Sequence, residues 1–299
     1  MTTATGTAAG GLPDPLNAQA LAAAGLAVGL RVEVVGETGS TNADVAARAR
    51  AGEPAGLVIA AERQRVGRGR LDRSWLSAPG SGLTVSLLAR PAVPAALLGW
   101  VPMVAGTSLV TTLRSRFAVP ARLKWPNDVQ VAGAKLAGIL VELVRVAPGT
   151  AGDAEPPPGL VIGFGLNVHA AVAELPAGGT SLAVLAAAPV GTAASAGGDG
   201  LVQVAAGGVD VPCRTDLLAA LLTDLVAALA RFEADPAAAR PAYREVCATL
   251  GRDVRVELPG GETVVGVATD VDESGRLVVD GQAFSAADIV HLRPATTPS

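Results

Sequence analysis

Residues Lys124 to Leu143 read KWPNDVQVAGAKLAGILVEL. Two apolar runs, Val129 to Val131 and Lys135 to Val144, flank Ala132-Gly133-Ala134, and a short glycine-containing link between two such runs predicts a β-hairpin. Trp125 precedes a proline and is therefore extended. Pro126-Asn127-Asp128 is turn chemistry. Lys135 opens the apolar strand that carries Ile139 and Val141. A lysine there is placed to neutralise charge as it develops; the plainer alternative is a lysine snorkelling from a strand end. Asp128 can hold a Mg²⁺ ion or cap a backbone amide.

The lysine count sharpens the first alternative. Of 23 basic residues only Lys124 and Lys135 are lysines; the rest are arginines. Arginine does not replace lysine where a compact ammonium must approach a reacting centre.

Upstream of this segment lies ERQRVGRGRLDRSW, residues 62–75. It places five arginines within eleven residues of a chain that is only 17% charged. Gly67 and Gly69 let the backbone approach a ligand, and Arg68, Arg70 and Arg73 can fork onto carboxylate or phosphate oxygens. The spacing is not that of a Walker loop. Downstream, VIGFGLNV (161–168) carries Gly163 and Gly165 inside a strand, a mark of close ligand approach or of an ordinary strand with a bulge. Asn167 offers an amide at its end.

The remaining chain supplies the frame. Residues 1–30 form an N-terminal tail, partly disordered, with a helix expected over Asn17 to Ala27. Val32 to Val35 is a short strand. Ser40-Thr41-Asn42 gives N-cap chemistry to a helix over Ala43 to Ala51. Leu57 to Ala61, Leu83 to Ala89 and Leu160 to Val168 are strands, and Pro94 to Phe117 is a helical pattern with Pro102 inside it. Asp216 to Phe232 repeats apolar residues at helical spacing, and Pro236 to Leu250 is a second helix. Residues 186–212 are low in complexity and are expected to form a flexible insertion. Beyond Gly251, Asp253 to Leu258, Thr263 to Val271, Arg276 to Val279 and Asp288 to Leu292 are short strands joined by GG, DESG and DG turns, a small barrel or sandwich. The division expected is a catalytic part over 31–250 and a C-terminal part over 251–299.

Composition excludes several classes. A net charge of −4 argues against nucleic-acid binding. Cys213 and Cys247 lie far apart without a CxxC, which fits a reducing compartment. His169 and His291 fit no metal or triad pattern. No signal peptide is evident, and Leu97 to Val110 is too short to span a bilayer. A cytoplasmic protein is expected.

Taken together, GSTNADVAARA (39–49), GRGRLDRSW (67–75), KWPNDVQVAGAKLAGILVEL, VIGFGLNV and TSL (180–182) resemble the biotin–protein ligases in order and spacing. The resemblance runs from about residue 32 to 293. It implies an α+β fold: a mixed β-sheet catalytic domain flanked by helices, then a small SH3-like barrel. It also implies a two-step reaction. Biotin and MgATP give biotinyl-5′-AMP, and biotin then passes to a lysine of a biotin carboxyl carrier domain of an acyl-CoA carboxylase. Carried over by motif, Ser40, Thr41 and Asn42 would bind the ureido head. Gln64, Gly67 and Arg68 would hold the ring and the carboxylate region. Arg70 and Arg73 would close over the adenylate in a loop that orders around ligand. Trp75 would stack near adenine. Lys135, with Arg68, would be catalytic and would bridge the biotin carboxylate and the α-phosphate. Gly138 and Gly163 would line the biotin pocket. Lys124, Asn127, Asn167 and Arg293 would contact the nucleotide, and Asp128 would hold Mg²⁺.

There are departures from the family pattern. Asp72 stands where many relatives have glycine. The segment before the first catalytic strand does not fit the DNA-binding domain that many relatives carry, so an enzyme without repressor activity, a monomer or weak homodimer, is expected. The rival readings are a lipoate–protein ligase, a non-catalytic biotin-sensing protein and a pseudo-enzyme scaffold. The first lacks its histidine-containing glycine motif here. Retention of Lys135 and Arg68 argues against the second.

Overall fold

The computed structural model describes residues 14–69, 74–75, 77–145, 158–188, 209, 211–258, 261–285 and 288–291. Arg70, Arg73, Arg293 and most of 186–212 fall outside them, as does the disorder expected of the arginine loop without ligand.

Asn17 caps α1 (Ala18–Leu26), and β1 (Arg31–Thr38) follows. Ser40 caps α2 (Thr41–Arg50): its Oγ accepts from the Ala43 amide at 3.4 Å. Strands β2 (Leu57–Gln64), β3 (Gly67–Arg68), β4 (Ser74–Trp75) and β5 (Gly82–Ala89) come next. A 3₁₀ turn over Ala95–Trp100 leads into α3 (Val101–Phe117). Pro102 thus lies in the first turn of α3, where no N–H is needed. Together these 23 residues are long and apolar enough to cross a membrane by composition, a longer stretch than expected from Leu97 to Val110. They pack instead against the sheet, with Leu109, Val110 and Leu113 fully buried.

The hairpin forms as expected. β6 (Arg122–Lys124) turns through residues 125–127 into β7 (Asp128–Val131), which pairs with β8 (Ala134–Val144). Ala132 and Gly133 both take positive φ, 49° and 81°. A two-residue turn needs that pair of left-handed conformations to match strand twist. β9 (Gly159–Asn167), α4 (Leu182–Ala187) and α5 (Arg214–Ala234) follow. Each apolar position expected to face inward on α5 is buried or nearly so, from Leu217 to Leu229. The next helix is shorter than expected: a 3₁₀ turn over Pro236–Ala238, then α6 (Ala239–Val246).

The C-terminal part has five strands where four were expected. They are β10 (Asp253–Glu257), β11 (Thr263–Val271), β12 (Leu277–Val279), β13 (Gln282–Phe284) and β14 (Asp288–His291). β13 has only three residues and follows a two-residue Asp280-Gly281 turn, too little pattern to read in advance. This sheet runs β13-β12-β11-β10-β14, all antiparallel.

The large sheet has the order β1-β2-β5-β9-β8-β7-β6. Only β1 and β2 run parallel, so the sheet is mixed and the fold is α+β. Its two faces separate by strand alternation. Leu83, Leu87, Ile162, Leu166 and Ile139 share one core with α3 and α5. Leu57, Ile59, Leu88 and Val161 form a smaller one with Val45, Ala46 and Ala49 of α2. The C-terminal sheet joins the larger core through Val254, Val256, Val271 and Leu277. Polar ties reinforce the junction: Trp100 Nε1 donates to the Glu273 carbonyl at 2.7 Å, and the Trp125 amide to Thr249 Oγ1 at 2.9 Å.

Candidate active site

On the α2 side of the large sheet lies a cleft of about 420 Å³. Ser40, Thr41, Asn42, Gln64, Trp75, Lys124, Asn127, Asp128, Lys135, Gly138 and Gly163 line it. Residues separated by more than a hundred positions in sequence, carried by separate motifs, are brought to one concave surface.

Lys135 reaches this cleft because of a bulge. Val129 pairs with Ala137, but Gln130 pairs with Lys135, so Leu136 is an extra residue on β8. Strict alternation would put Lys135 and Gly138 on opposite faces; the inserted residue shifts the phase. Leu136 is fully buried, and Lys135 turns to the cleft, where its Nζ pairs with Asp128 Oδ1 at 2.7 Å. A Cβ on Gly138 would stand 3.2 Å from Lys135 Cε, so glycine leaves the room the lysine occupies. The backbone of Lys135 is pinned on the other side: its amide donates to Gly178 O at 2.7 Å, and its carbonyl accepts from Thr180 N at 2.8 Å.

The floor is a hydrogen-bonded polar chain. Gln64 Oε1 accepts from the Thr41 amide at 2.9 Å and from its hydroxyl at 3.2 Å. Ser86 Oγ lies 2.8 Å from Thr41 Oγ1 and 2.6 Å from Asn42 Oδ1. Asn42 Nδ2 donates to Glu142 Oε2 at 2.6 Å. Gly163 makes this possible, since a Cβ there would stand 1.9 Å from Asn42 Oδ1. Trp75 uses the same device at Gly165, where a Cβ would come within 2.3 Å of the indole. That indole lies 5.7 Å beneath Lys135 Nζ, a cation–π contact, and its own Nε1 is buried without a partner.

Two of the expected nucleotide ligands have other occupations. Asn127 lines the cleft, but its Nδ2 donates to Ile139 O at 2.8 Å. Asn167 does not line it; its amide is buried and donates to Thr180 O at 3.0 Å, holding the loop that pins Lys135. Gly67 does not line the cleft; a Cβ there would stand 2.1 Å from the Trp75 carbonyl oxygen and 2.4 Å from Gln64 Nε2. Nothing is described of the Arg68 side chain. Glu257, Ile289 and Val290 also line the cleft, so the C-terminal sheet closes one wall. Sequence reasoning missed these residues, as it missed Thr84, Ser86 and Glu142. The signal for the last three was period-two alternation: Glu142 follows Gly138 on β8 by four residues, and Thr84 and Ser86 alternate with Leu83, Val85 and Leu87 on β5.

A buried arginine, also missed, anchors the base of the arginine loop. Arg214 is 0% exposed. Its guanidinium donates to Glu62 Oε2 at 2.6 Å, to Gly82 O at 3.0 Å and, through Nε, to Asp14 O at 2.7 Å. Burial by itself raises the Asp14 pKa, but hydrogen bonds from His169 and Arg214 outweigh it and hold the carboxyl below its ordinary value. A second cavity, of about 570 Å³, lies between α3, α5 and α6. Its Arg116 and Asp224 are spent on each other at 2.6 Å.

A mixed sheet with a glycine-floored cleft and two lysines at its mouth, closed by a small SH3-like sheet, is the build of an acid-activating protein ligase. Residues 38–152 match the Biotin/lipoate A/B protein ligase family, and residues 249–292 match the Biotin protein ligase C terminal domain. The chain is 38% identical to the biotin–[acetyl-CoA-carboxylase] ligase of Mycobacterium tuberculosis, over 88% of this chain and 90% of that protein. It is 30% identical to the protein of the same name from Paracoccus denitrificans, over 84% of this chain and 94% of that one. The fold matches the biotin protein ligase of Aquifex aeolicus solved with biotin and ATP, with a TM-score of 0.65 at 23% identity, over 88% of this chain and 99% of that one. The chain belongs to the biotin protein ligase family.

Proposed function

We propose that this protein activates biotin with MgATP as biotinyl-5′-AMP, releasing pyrophosphate, and then transfers biotin to one lysine of a biotin carboxyl carrier domain, releasing AMP. The observation that carries this reading is the position of Lys135, turned by the β8 bulge toward a cleft whose floor is the Gln64–Thr41–Ser86–Asn42 chain. Joining a carboxylate to a triphosphate brings like charges together. A fixed ammonium at the meeting point stabilises the transition state more than the separated ground states. Ground-state pairing with Asp128 keeps Lys135 oriented at no cost in reorganisation when the anions arrive. The hydroxyls and amides of the floor suit a urea, which offers two N–H donors and one strong acceptor. Lys124 lines the same cleft and would contact the nucleotide. By the family's motifs Arg68, Arg70 and Arg73 would hold the anions, and Arg293 would contact the ATP.

Among the described residues no three acidic, histidine or cysteine side chains converge. Asp128 is the one carboxylate facing Lys135 in the cleft, and a single carboxylate suits Mg²⁺, which keeps its waters and binds mainly through ATP phosphates. Such an ion would screen phosphate charge. We place the protein in the cytoplasm, acting as a monomer or weak homodimer without nucleic acid.

ATP–pyrophosphate exchange with purified protein and Mg²⁺, run with biotin, with lipoate and with neither, tests the reading. Exchange with biotin alone is expected. Exchange with lipoate instead moves the substrate, and none with either acid from folded protein removes the enzyme.

A further inference from the structure

Hydrogen-bonded to the cleft floor is one carboxylate for which the two-step reaction has no evident use. Glu142 lies two residues beyond Leu140 and four beyond Gly138 on β8, so alternation puts it on the cleft face. It is half-buried. Its Oε2 accepts from Asn42 Nδ2 at 2.6 Å, and the Leu140 carbonyl accepts from the same nitrogen at 3.4 Å. Both partners are acceptors only, so the amide nitrogen of Asn42 must face them. Oδ1 is thereby turned the other way, to Ser86 Oγ at 2.6 Å and over Gly163. A flipped amide would set its oxygen against the carboxylate and leave both unpaired, which is costly inside a protein.

We infer that Glu142 is a positioning residue for substrate recognition: it fixes the Asn42 amide so that the cleft presents an acceptor, not a donor, to the ring N–H groups of a cyclic urea. This rests on the biotin reading above. It deepens that reading by assigning the urea preference to a residue that lines no part of the cleft itself. Among the described residues the partner given for Glu142 is the Asn42 amide. One oxygen of Asn42 has two acceptor sites. Ser86 takes one; Asn42 lines the cleft, and the proposal gives the second to a ring N–H of the urea.

The test is a set of biotin-dependent exchange measurements giving KM for biotin and for ATP separately. Glu142→Leu is expected to raise the biotin KM roughly tenfold or more, as loss of a hydrogen bond to a charged group should, with the ATP KM unchanged. In an Asn42→Ala background the same substitution should have no further effect, because its only route to the ligand is gone. An isosteric exchange guards against misfolding. Asn42→Asp alone sets two carboxylates together and should lose affinity. Adding Glu142→Gln supplies the missing donor, keeps an acceptor toward the cleft, and should recover most of it. An equal effect of Glu142→Leu in both backgrounds, an equal rise in both KM values, or no recovery in the exchanged pair overturns the assignment. Wild-type protein without biotin-dependent exchange would instead remove the parent reading, so the two failures are distinguishable.

Discussion

Facing α3 and α5, the large sheet presents Leu83, Val85, Leu87, Ile162, Phe164 and Leu166, every one of them buried. Facing α2, the same two strands present Thr84, Ser86, Gly163 and Gly165 before closing on Leu88 and Val161. One face is filled by its own side chains. The other is left low by glycine, and the space is taken by side chains reaching in from elsewhere, Asn42 from α2 and Trp75 from β4. A ligand site needs that second arrangement, because groups that arrive from separate elements can be oriented independently of the strand beneath them. The price is a floor whose polar atoms must satisfy one another, and the chain from Gln64 to Glu142 does so.

This contrast is open to attack from either side. The largest effect is expected at Lys135. Lys135→Ala removes the cleft's fixed charge and should cut biotin-dependent exchange on the order of 10²-fold or more, with the melting temperature nearly unchanged. Turnover like wild type would end its catalytic assignment. On the packed face, Leu109→Ala opens a cavity in the α3 core and should cost about 3 kcal/mol in denaturant unfolding, while leaving the biotin KM of the folded fraction alone. If instead it shifted that KM, the two faces would not be independent. Gly163→Ala should displace Asn42, raising the biotin KM by roughly tenfold with little loss of stability, since overpacking costs about 1–3 kcal/mol and the displaced side chain borders open space. A large drop in melting temperature with an intact KM would place the glycine in the core's service.

The smallest effect concerns pH. Hydrogen bonds from Arg116, then from Thr112, hold the Asp224 carboxyl below its ordinary value. A depressed carboxylate stabilises the fold above its unfolded pKa, near ~4, and that contribution is lost as pH falls through the lower folded value. Acid melts of wild type and Asp224→Asn should therefore converge below about pH 4. Catalysis at neutral pH should be the same in both, because the pair lies on the packed side.

Much of the site was legible because its parts are short and local. KWPND, the paired glycines of VIGFGLNV and the STN cap each announce a turn, a close approach or a helix start from residue type alone. Arg214 was not legible. A fully buried guanidinium held by Glu62, Asp14 and Gly82 is defined by partners up to two hundred positions away. Asn167 shows the converse. Its motif marked it as a ligand residue, and its amide is committed to Thr180, which a strand end cannot disclose on its own. β13 was hidden for a plainer reason, since three residues after a tight turn carry too little alternation to read; the strand of Ile289 and Val290 was legible, but its place in the cleft wall depends on how the two sheets pack.

By itself the sequence determined the element types, the hairpin, the glycine-lowered strands and the clustering of cationic chemistry in two segments, since these depend on backbone freedom and side-chain period within a few residues. Only the tertiary structure decided which way that chemistry points. One extra residue in the pairing of β7 with β8 turned Lys135 to the cleft, and one carboxylate on the same strand fixed the sense of Asn42. Both are settled by register across strands, which depends on neighbours that lie far away in the chain.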